Sequence, residues 1–297
     1  MVQIENLTKE FDGFKALNRL NLNIKKGSIY GLVGINGSGK TTAIKHLAGI
    51  YRQDSGHVRI AGVPVYDNEG IKEAVGYIPD DLYFFPQYNM NNLRKFYSGM
   101  YKNWNEQRYR HLLEVFKLDE KRKVGRFSKG MQKQAAFIFV MSIMPDFLLL
   151  DEPIDGLDPI VRKQVFKEII DDVAERQMTV LVSSHNLKEM DGICDSIGII
   201  KDGRMLIERD LDDLKSDVHK IQVAFKSDET QLKDLGLEVL HQESRGSIKL
   251  VIIRGKEDEV IQKISDAKPL VFDRLPLTLE EIFIYETEGA SSDEIPY

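Results

Sequence analysis

The sequence has almost no cysteine and no long apolar run. Its one cysteine is Cys194, which excludes an internal disulfide and is typical of proteins in a reducing cytosol. The longest apolar stretch, 135–144, ends at Pro145 and is shorter than the roughly 18 residues that a membrane-spanning helix needs. The first residues carry acids and lack an apolar core, so we expect no signal peptide. We therefore expect a cytoplasmic protein without direct insertion into lipid.

Positive charge is also in short supply. Lys and Arg together number 41, Asp and Glu together number 47, and the net charge is −6. Nucleic acids and anionic lipids both favour basic surfaces, so this balance argues against either as a general partner. We expect no nucleic-acid partner, and if the protein works at a membrane, another protein must hold it there.

What the sequence does contain is a phosphate-binding loop. Residues 34–41 read GINGSGKT and match G-x-x-x-x-G-K-[ST], between the apolar run Ile29–Val33 and the helix-like segment Thr42–Leu47. Glycines let successive backbone N–H groups converge on an anion, and the helix adds its positive end. Lys40 would reach the β- and γ-phosphates of a nucleoside triphosphate, and the Thr41 hydroxyl would bind Mg²⁺. The predicted nucleotide-binding residues of this loop are Gly34, Asn36, Gly37, Ser38, Gly39, Lys40, Thr41 and Thr42.

Strand-like and helix-like segments alternate around this loop. The early part predicts strands at Val2–Leu7, Leu20–Ile24 and Val75–Ile78, with a further β-like stretch at 56–65. Residues from about 82 to 145 predict a helical insertion, whose aromatic side chains, Trp104 included, are expected to pack in a core. The α/β pattern then returns, with strand Phe147–Leu150, helix Pro159–Arg176, strand Thr179–Ser183, a short helix near Leu187–Cys194, and a hairpin of Ile197–Ile200 with Met205–Ile207.

After about residue 214 the pattern predicts a separate small α+β module, 215–288. Its predicted elements are strands at Ile221–Phe225, Glu238–His241 and Ile248–Ile253 and helices at Glu257–Ser265 and Leu279–Tyr285. Residues 289–297 are small, polar and acidic and predict a flexible tail. This module indicates nothing about a ligand.

Three polar residues follow two of the predicted strands. Asp151 and Glu152 stand at the end of a fully apolar strand, where open α/β sheets bind ligands, and His185 ends the next strand. Hydrolysis of a triphosphate needs a metal, a positioned water and charge stabilisation beside the cradle. Asp151 suits Mg²⁺, Glu152 can accept a proton from the attacking water, and His185 can contact the γ-phosphate or hold the water. We predict Glu152, His185 and Lys40 as the catalytic residues.

The segment FSKGMQ at 127–132 predicts a second anion site. It precedes the predicted helix Gln132–Met144, so Ser128 and Gly130 would offer a hydroxyl and bare N–H groups at a helix N-terminus. One protomer already has a phosphate cradle, which makes a second one redundant. Upstream of the cradle, Phe11 and Phe14 are either core residues or include one ring that stacks on a nucleobase.

Together these motifs resemble the ATP-binding cassette (ABC) ATPases. The resemblance covers residues 1–214 and rests on GINGSGKT (34–41), IPDD (78–81), FSKGMQ (127–132), LLLDEP (148–153), DGLDP (155–159) and SSH (183–185), in that order. It implies an α/β P-loop NTPase cassette, with a RecA-like core, an antiparallel β subdomain and a helical subdomain, here followed by the C-terminal α+β module. It also implies ATP and Mg²⁺ as cofactors.

The same resemblance implies a dimer. In ABC ATPases two cassettes pack head to tail, and the signature of one caps the γ-phosphate bound to the other. On that basis Ser128, Lys129 and Gly130 would reach the partner's ATP, Asp158 would lie at the seam, and Phe11 would stack on adenine. The second cassette is either an identical copy or a paralogue.

This chain departs from the family pattern at three positions. Asp80 stands where the family has Gln; a carboxylate can still ligate Mg²⁺ or orient water, but it adds negative charge beside a polyphosphate. Lys129 replaces a signature glycine and either attracts the γ-phosphate or faces solvent. Asp155 replaces the common Ser or Thr before GLDP, so the resemblance does not decide how the two sites communicate in this protein. The predicted general base is present, so we expect hydrolysis.

The function implied by the resemblance is the motor of a bacterial type-2 exporter. A single cassette with a small tail would drive a separate integral membrane permease from the inner face of the cell membrane and export drugs, peptides or surface components. The alternative is a soluble ABC-type ATPase that acts on ribosomes or nucleic acid; the single cassette and acidic balance count against it. A switch-type GTPase is a third possibility, but the chain lacks N-K-x-D.

Overall fold

A computed structural model describes residues 1–225 and 235–282 of the chain. The chain divides into two compact units: the first comprises Met1–His185 and Gly192–Glu208, and the second comprises Asn186–Asp191 and the chain from Arg209 onward. The predicted tail, 289–297, lies outside the described residues. None of the helices in the described part is long and apolar enough to cross a membrane.

Within the described residues, strands and helices follow one another in this order. The strands are β1 (Val2–Phe11), β2 (Phe14–Ile24), β3 (Ile29–Val33), β4 (Ser55–Ile60), β5 (Val63–Pro64), β6 (Val75–Ile78), β7 (Phe147–Leu150), β8 (Thr179–Ser184), β9 (Ser196–Lys201), β10 (Arg204–Asp210), β11 (Val218–Ala224), β12 (Glu238–Arg245), β13 (Ile248–Arg254) and β14 (Val271–Leu275). The helices are α1 (Lys40–Leu47), α2 (Glu69–Ala74), α3 (Met90–Met100), α4 (Glu106–Phe116), α5 (Lys129–Ser142), α6 (Pro159–Arg176), α7 (Leu211–Asp217) and α8 (Glu257–Asp266).

The first strands form an antiparallel sheet in the order β2-β1-β4-β5. A two-residue turn joins β1 to β2, with Asp12 at φ 46° and Gly13 at φ 84°. Positive φ at both positions gives the turn a twist that matches a hairpin, and Asp-Gly tolerates it. Phe11 and Phe14 form the last pair of the hairpin, next to the turn.

The second sheet has the order β10-β9-β3-β8-β7-β6 and is parallel from β9 to β6. Strands β3, β7 and β8 are buried along their whole length, as the fully apolar sequence of β7 predicts for a strand covered on both faces of a parallel sheet. Val33 pairs with Ser184, and Leu150 pairs with Val182. The segments that follow these three strands therefore leave the sheet at one edge, where the candidate site lies.

Between β6 and β7 the chain forms α3, α4 and α5. Helix α5 runs from Lys129 to Ser142, so it begins before the predicted Gln132 and ends before Met144. Ser128 accepts a hydrogen bond from the Met131 N–H and caps the helix, which explains the early start. Part of the aromatic set of this region packs as predicted: the ring centroids of Tyr97 and Phe139 lie 5.0 Å apart in a stack, and those of Trp104 and Tyr109 lie 5.5 Å apart. For Tyr83, Phe85, Tyr88 and Phe96 the prediction is wrong, because these side chains are exposed.

The second unit is built on an antiparallel sheet in the order β12-β13-β11-β14. In its core, apolar residues of β11 and β13 pack against apolar residues of α8. Ile221, Val251 and Ile264, one from each element, are all buried. The strand β14 and the helix α7 were absent from the sequence prediction. The predicted helix Leu279–Tyr285 is described only as far as Ile282, and its remainder lies outside the described residues.

One predicted helix is wrong. Near Leu187–Cys194 the chain forms only a single 3₁₀ turn, Leu187–Glu189. Gly192 follows at φ 76°, a left-handed conformation that ends a right-handed helix. Cys194 is buried, and burial raises the pKa of its thiol to about 12.

Candidate active site

The cradle joins the buried strand β3 to α1. Helix α1 begins at Lys40, with Gly39 as its N-cap at φ 111° and no side chain bonded to its first N–H groups. A Cβ at Gly39 would lie 2.8 Å from the Ala16 carbonyl oxygen, and one at Gly34 would lie 2.5 Å from Ser38 Oγ. Only glycine fits these two positions, so the loop keeps its backbone N–H groups accessible at a helix N-terminus.

Two polar side chains inside the cradle are buried. The Lys40 ammonium donates to the carbonyl oxygens of Gly34 at 2.6 Å and Ile35 at 3.3 Å. Ser38 Oγ makes no hydrogen bond within the described part of the chain, although it is buried. The loop thus offers a cation, a buried hydroxyl and bare N–H groups around one concavity. These groups fit a polyphosphate such as that of ATP.

Asp151 and Glu152 follow β7, beside the end of β8. Ser183 joins them: its hydroxyl donates to Asp151 Oδ1 at 2.8 Å and accepts from the Glu152 N–H at 3.1 Å. Thr41, from the first turn of α1, also hydrogen-bonds Asp151. The structure therefore brings the predicted metal residues Thr41 and Asp151 together.

Burial raises the pKa of Asp151 above its usual value, against the hydrogen bonds from Ser183 and Thr41, which lower it. The charge of Glu152 raises it further. A buried carboxylate and a hydroxyl are hard oxygen donors of the kind that Mg²⁺ prefers. The chemistry of these donors fits Mg²⁺, since a divalent cation would offset the burial of the Asp151 charge.

Glu152 lies between the cradle and the end of β8. Its Oε1 lies 3.3 Å from Lys40 Nζ without the geometry of a hydrogen bond, and its Oε2 lies 3.0 Å from His185 Nδ1. The side chain is 12% exposed. Its backbone has φ 46°, a conformation that costs a non-glycine residue about 1–3 kcal/mol. Of the three residues that we predicted as catalytic, Lys40 and His185 thus each contact Glu152.

A cavity of about 340 Å³ covers the cradle. Phe11 and Phe14 lie on its wall, together with the cradle residues, Asp80 and Glu152. Both rings are exposed, which excludes the alternative that both are core residues. Phe11 also packs edge-on against Tyr51, at 5.4 Å between ring centroids, whereas Phe14 is the more exposed of the two.

The signature residues lie apart from the cradle cavity. Ser128 caps α5, and Lys129 is exposed and lines a second cavity with Asp80, Lys133 and Asp155. A Cβ at Gly130 would lie 2.9 Å from the Gly156 carbonyl oxygen, so only glycine allows this close packing. None of the three signature residues lines the cradle cavity of this chain.

Asp158 has a local structural part in this protomer. Its carboxylate accepts hydrogen bonds from the N–H groups of Ile160 and Val161, each at 3.0 Å, and caps α6. Pro159 at the first helical position fits the same helix start. The sequence pattern D-P before a helical run predicts this cap, and the cap leaves the seam role of Asp158 as a prediction.

Two residues of the site escaped the sequence analysis. Ser183 belongs to the SSH motif, but only His185 was given a role, although a polar residue at the end of a buried strand is a visible signal. Lys133 donates to the Glu152 carbonyl oxygen at 2.7 Å and to Asp80 Oδ1 at 3.1 Å. No local pattern marks Lys133, because its partners are distant in sequence.

Known proteins resemble this chain in sequence and in fold. The sequence model of the "ABC transporter" family matches residues 17–155. The chain is 32% identical to ABC transporter ATP-binding protein YtrB of Bacillus subtilis (strain 168), over 97% of this chain and 99% of that protein. It is 33% identical to the bacitracin transport ATP-binding protein BcrA of Bacillus licheniformis, over 72% of this chain and 71% of that protein.

A solved structure of an ATP-binding subunit of an ABC transporter has the same fold. Its TM-score is 0.67 at 25% identity, over 72% of this chain and 92% of that one. The fold and the site define a P-loop ATPase of the cassette type, as expected from the motifs. The chain belongs to the family of ABC transporter ATP-binding proteins, so it binds ATP and is an ABC ATPase.

Proposed function

We propose that this chain is the ATP-hydrolysing motor of an ABC exporter, in which two cassettes close around two ATP–Mg²⁺ and drive a separate permease. The observation that carries the proposal is the position of the Glu152 carboxylate, between the Lys40 ammonium and the His185 imidazole. There it lies beside the γ-phosphate that Lys40 would bind, within reach of the water that attacks it.

Each residue of the site then has a chemical part. Lys40, the Ser38 hydroxyl and the N–H groups of the cradle bind the phosphates, and Phe11 stacks on adenine. Thr41 and Asp151, with Asp80 nearby, would hold Mg²⁺, and the ion would supply neutralisation of the phosphate charge. Glu152 accepts a proton from the attacking water, and His185 orients that water through the Glu152 carboxylate.

Within the described residues, the cradle of one chain lacks a signature segment beside it, and a second cassette would supply that segment. Ser128, Lys129 and Gly130 form a helix N-terminus outside the cradle cavity, and Asp158 lies near the same loops. A second cassette, identical or paralogous, would bring its signature to this cradle. Two-fold symmetry allows one surface to serve both sites.

The helical region offers a surface for the permease. We define the aromatic patch as Tyr83, Phe85, Tyr88 and Phe96, all exposed and in ring contact around Phe85. Contiguous exposed aromatic side chains of this kind mark protein interaction sites. Export of drugs, peptides or surface components is supported by the relative named for bacitracin transport. The cassette would then lie at the inner face of the cell membrane.

The experiment is affinity purification of tagged Glu152→Gln protein from detergent-solubilised native membranes, with and without ATP. We expect an ATP-dependent dimer of cassettes and a multi-span membrane protein at near-equal stoichiometry. Lys40→Met is the matched control, since it should retain the fold but lose the ATP-dependent dimer. Recovery of ribosomes or nucleic acid, or of no membrane protein, would favour the soluble ATPase instead. A second, different cassette in the sample would identify a heterodimer.

A further inference from the structure

We propose that Lys133 is a positioning residue of the ATPase site, which holds the main chain of Glu152 and ties it to the signature helix α5. The inference rests on the proposed role of Glu152 as the general base. Lys133 would act through Glu152 and would not touch the nucleotide.

The contacts of Lys133 are specific. Its side chain is 10% exposed, and its ammonium donates to the Glu152 carbonyl oxygen at 2.7 Å and to Asp80 Oδ1 at 3.1 Å. A lysine that only served solubility would extend its ammonium into solvent. Here the ammonium points inward and joins two loops that leave the sheet after β6 and β7.

Glu152 needs such support because its backbone is strained. At φ 46° the residue has a conformation that persists only where its surroundings impose it. Ser183 holds its N–H at 3.1 Å, and Lys133 holds its carbonyl oxygen. These two bonds fix the peptide groups on either side of the Cα, and so they fix the direction in which the carboxylate leaves the chain.

The bond to Asp80 is the weaker part of the arrangement. The Asp80 side chain is 54% exposed, and a pair with one exposed partner contributes little, about 0–1 kcal/mol. Asp80 therefore serves as the second anchor of the ammonium, and the carbonyl bond is the one that matters for hydrolysis. The aspartate at this position, where the family pattern has Gln, provides a charge that a lysine can pair with.

The location of Lys133 on α5 adds a mechanical consequence. Lys133 lies about 7.5 Å along the helix axis from Ser128, the signature residue that caps α5, at 1.5 Å per residue. A shift of α5 on contact with the partner's ATP would move the ammonium and the Glu152 carbonyl oxygen with it. Lys133 thus links the signature of this chain to the general base of the same chain.

The test compares steady-state ATPase kinetics of the full chain and its Lys133→Met variant. We expect kcat to fall about tenfold or more, with the KM for ATP changed less than twofold, because the cradle is intact. Lys133→Arg, which retains the charge and donors, should recover part of the loss. Lys167→Met removes a lysine from a surface ion pair on α6 and should match the wild type.

Two further variants separate positioning from charge balance and from loss of fold. Asp80→Asn/Lys133→Met should stay as slow as Lys133→Met; recovery to the wild-type rate would show that Lys133 only neutralises Asp80 and would overturn the proposal. Lys133→Met/Glu152→Gln should still form the ATP-dependent dimer, which shows an intact fold and cradle. A wild-type kcat in Lys133→Met alongside an inactive Glu152→Gln would overturn this inference alone, whereas an active Glu152→Gln would overturn the proposed function.

Discussion

Lys40 Nζ lies 3.3 Å from Glu152 Oε1, although Lys40 begins α1 and Glu152 follows β7. The ammonium that is predicted to bind phosphate is therefore paired with the predicted general base. Phosphate must compete with this carboxylate and with the Gly34 carbonyl oxygen for the same donor. We therefore expect nucleotide binding to separate the pair and to free the Glu152 carboxylate for its predicted role as the base.

The first prediction concerns nucleotide affinity. Glu152→Gln removes the competing charge without changing the shape of the side chain, so we expect ADP to bind about fivefold more tightly, the equivalent of about 1 kcal/mol. Calorimetric titration with ADP measures this without the complication of ATP-driven dimerisation. Lys40→Met should lose most of the affinity. Equal ADP affinity of wild type and Glu152→Gln would show that the Lys40–Glu152 pair does not oppose nucleotide binding.

His185 gives the second prediction. Its imidazole contacts the Glu152 carboxylate at 3.0 Å, so its loss should disturb the proton acceptor and leave the cradle unchanged. We expect His185→Ala to lower kcat about 100-fold, within the range found for acid–base groups, with little change in nucleotide affinity. Single-turnover hydrolysis and equilibrium nucleotide binding check the two parts separately. His57→Ala, at an exposed histidine on β4, is the control and should retain full activity.

Much of the fold could be predicted because the inner strands of the central sheet, β3, β7 and β8, are buried on both faces. Phe147–Leu150 is apolar throughout and was predicted at its true bounds. Pro159–Arg176 was also predicted at its true bounds, and Asp158-Pro159 is typical of a helix start. That the candidate site residues lie together could be predicted because parallel strands place their carboxyl ends at one edge. The cradle, Asp151, Glu152 and His185 all follow such strands.

What could not be predicted depends on tertiary contacts. Lys133 lies near the start of α5, whose later residues are buried, and nothing in its local sequence indicates that folding brings it to Glu152. Strand β14, Val271–Leu275, has no clean alternation and forms because β11 offers a free edge for pairing. The sequence shows that Ser183 is a polar residue at a strand end, but its partner Asp151 follows from the pairing of β8 with β7 in the folded sheet.

The third prediction concerns the attachment of the helical region. Arg108 on α4 pairs with Glu168 at 2.8 Å and Asp172 at 3.0 Å on α6, and both carboxylates are buried. Without Arg108, Asp172 keeps its pair with Arg176 and, within the described part of the chain, Glu168 keeps only the contact with His111. Since Glu168 then lacks a permanently charged partner there, we expect Arg108→Ala to lower the free energy of unfolding by about 3 kcal/mol, the low end for a broken buried pair. Urea denaturation measures it. Arg110→Ala, on the exposed face of the same helix, should cost less than about 1 kcal/mol. Similar losses from both variants would contradict the argument.

The fourth prediction is a pH dependence set by His46. Burial lowers the pKa of this histidine below 6.5, and hydrogen bonds to the backbone of Thr42 and Arg52 only partly oppose the shift. The unfolded chain therefore binds a proton that the folded protein resists, so stability is complete above pH 6.5 and falls as the pH drops below it.

We expect His46→Gln to flatten this acid-side decline, because glutamine stays neutral. Urea denaturation of both proteins at pH 7.5 and 5.5 gives the comparison, and the exposed His57→Gln should follow the wild-type curve. The prediction is wrong if wild type and His46→Gln lose the same stability between the two pH values.

The last prediction tests the aromatic patch as the permease contact. Tyr83 is 82% exposed, and its ring lies 6.4 Å from Phe85, which in turn contacts Tyr88 at 5.0 Å and Phe96 at 6.1 Å. A charge introduced at Tyr83 costs the free cassette little, because the position is solvated, but in an apolar interface the charge would be buried without a partner. We therefore expect Tyr83→Asp to abolish co-purification of a membrane protein while nucleotide binding and the Glu152→Gln dimer persist. Ile170→Asp, at an exposed apolar residue on α6, is the control and should retain the membrane partner. If Tyr83→Asp also retained it, the contact would lie elsewhere on the cassette.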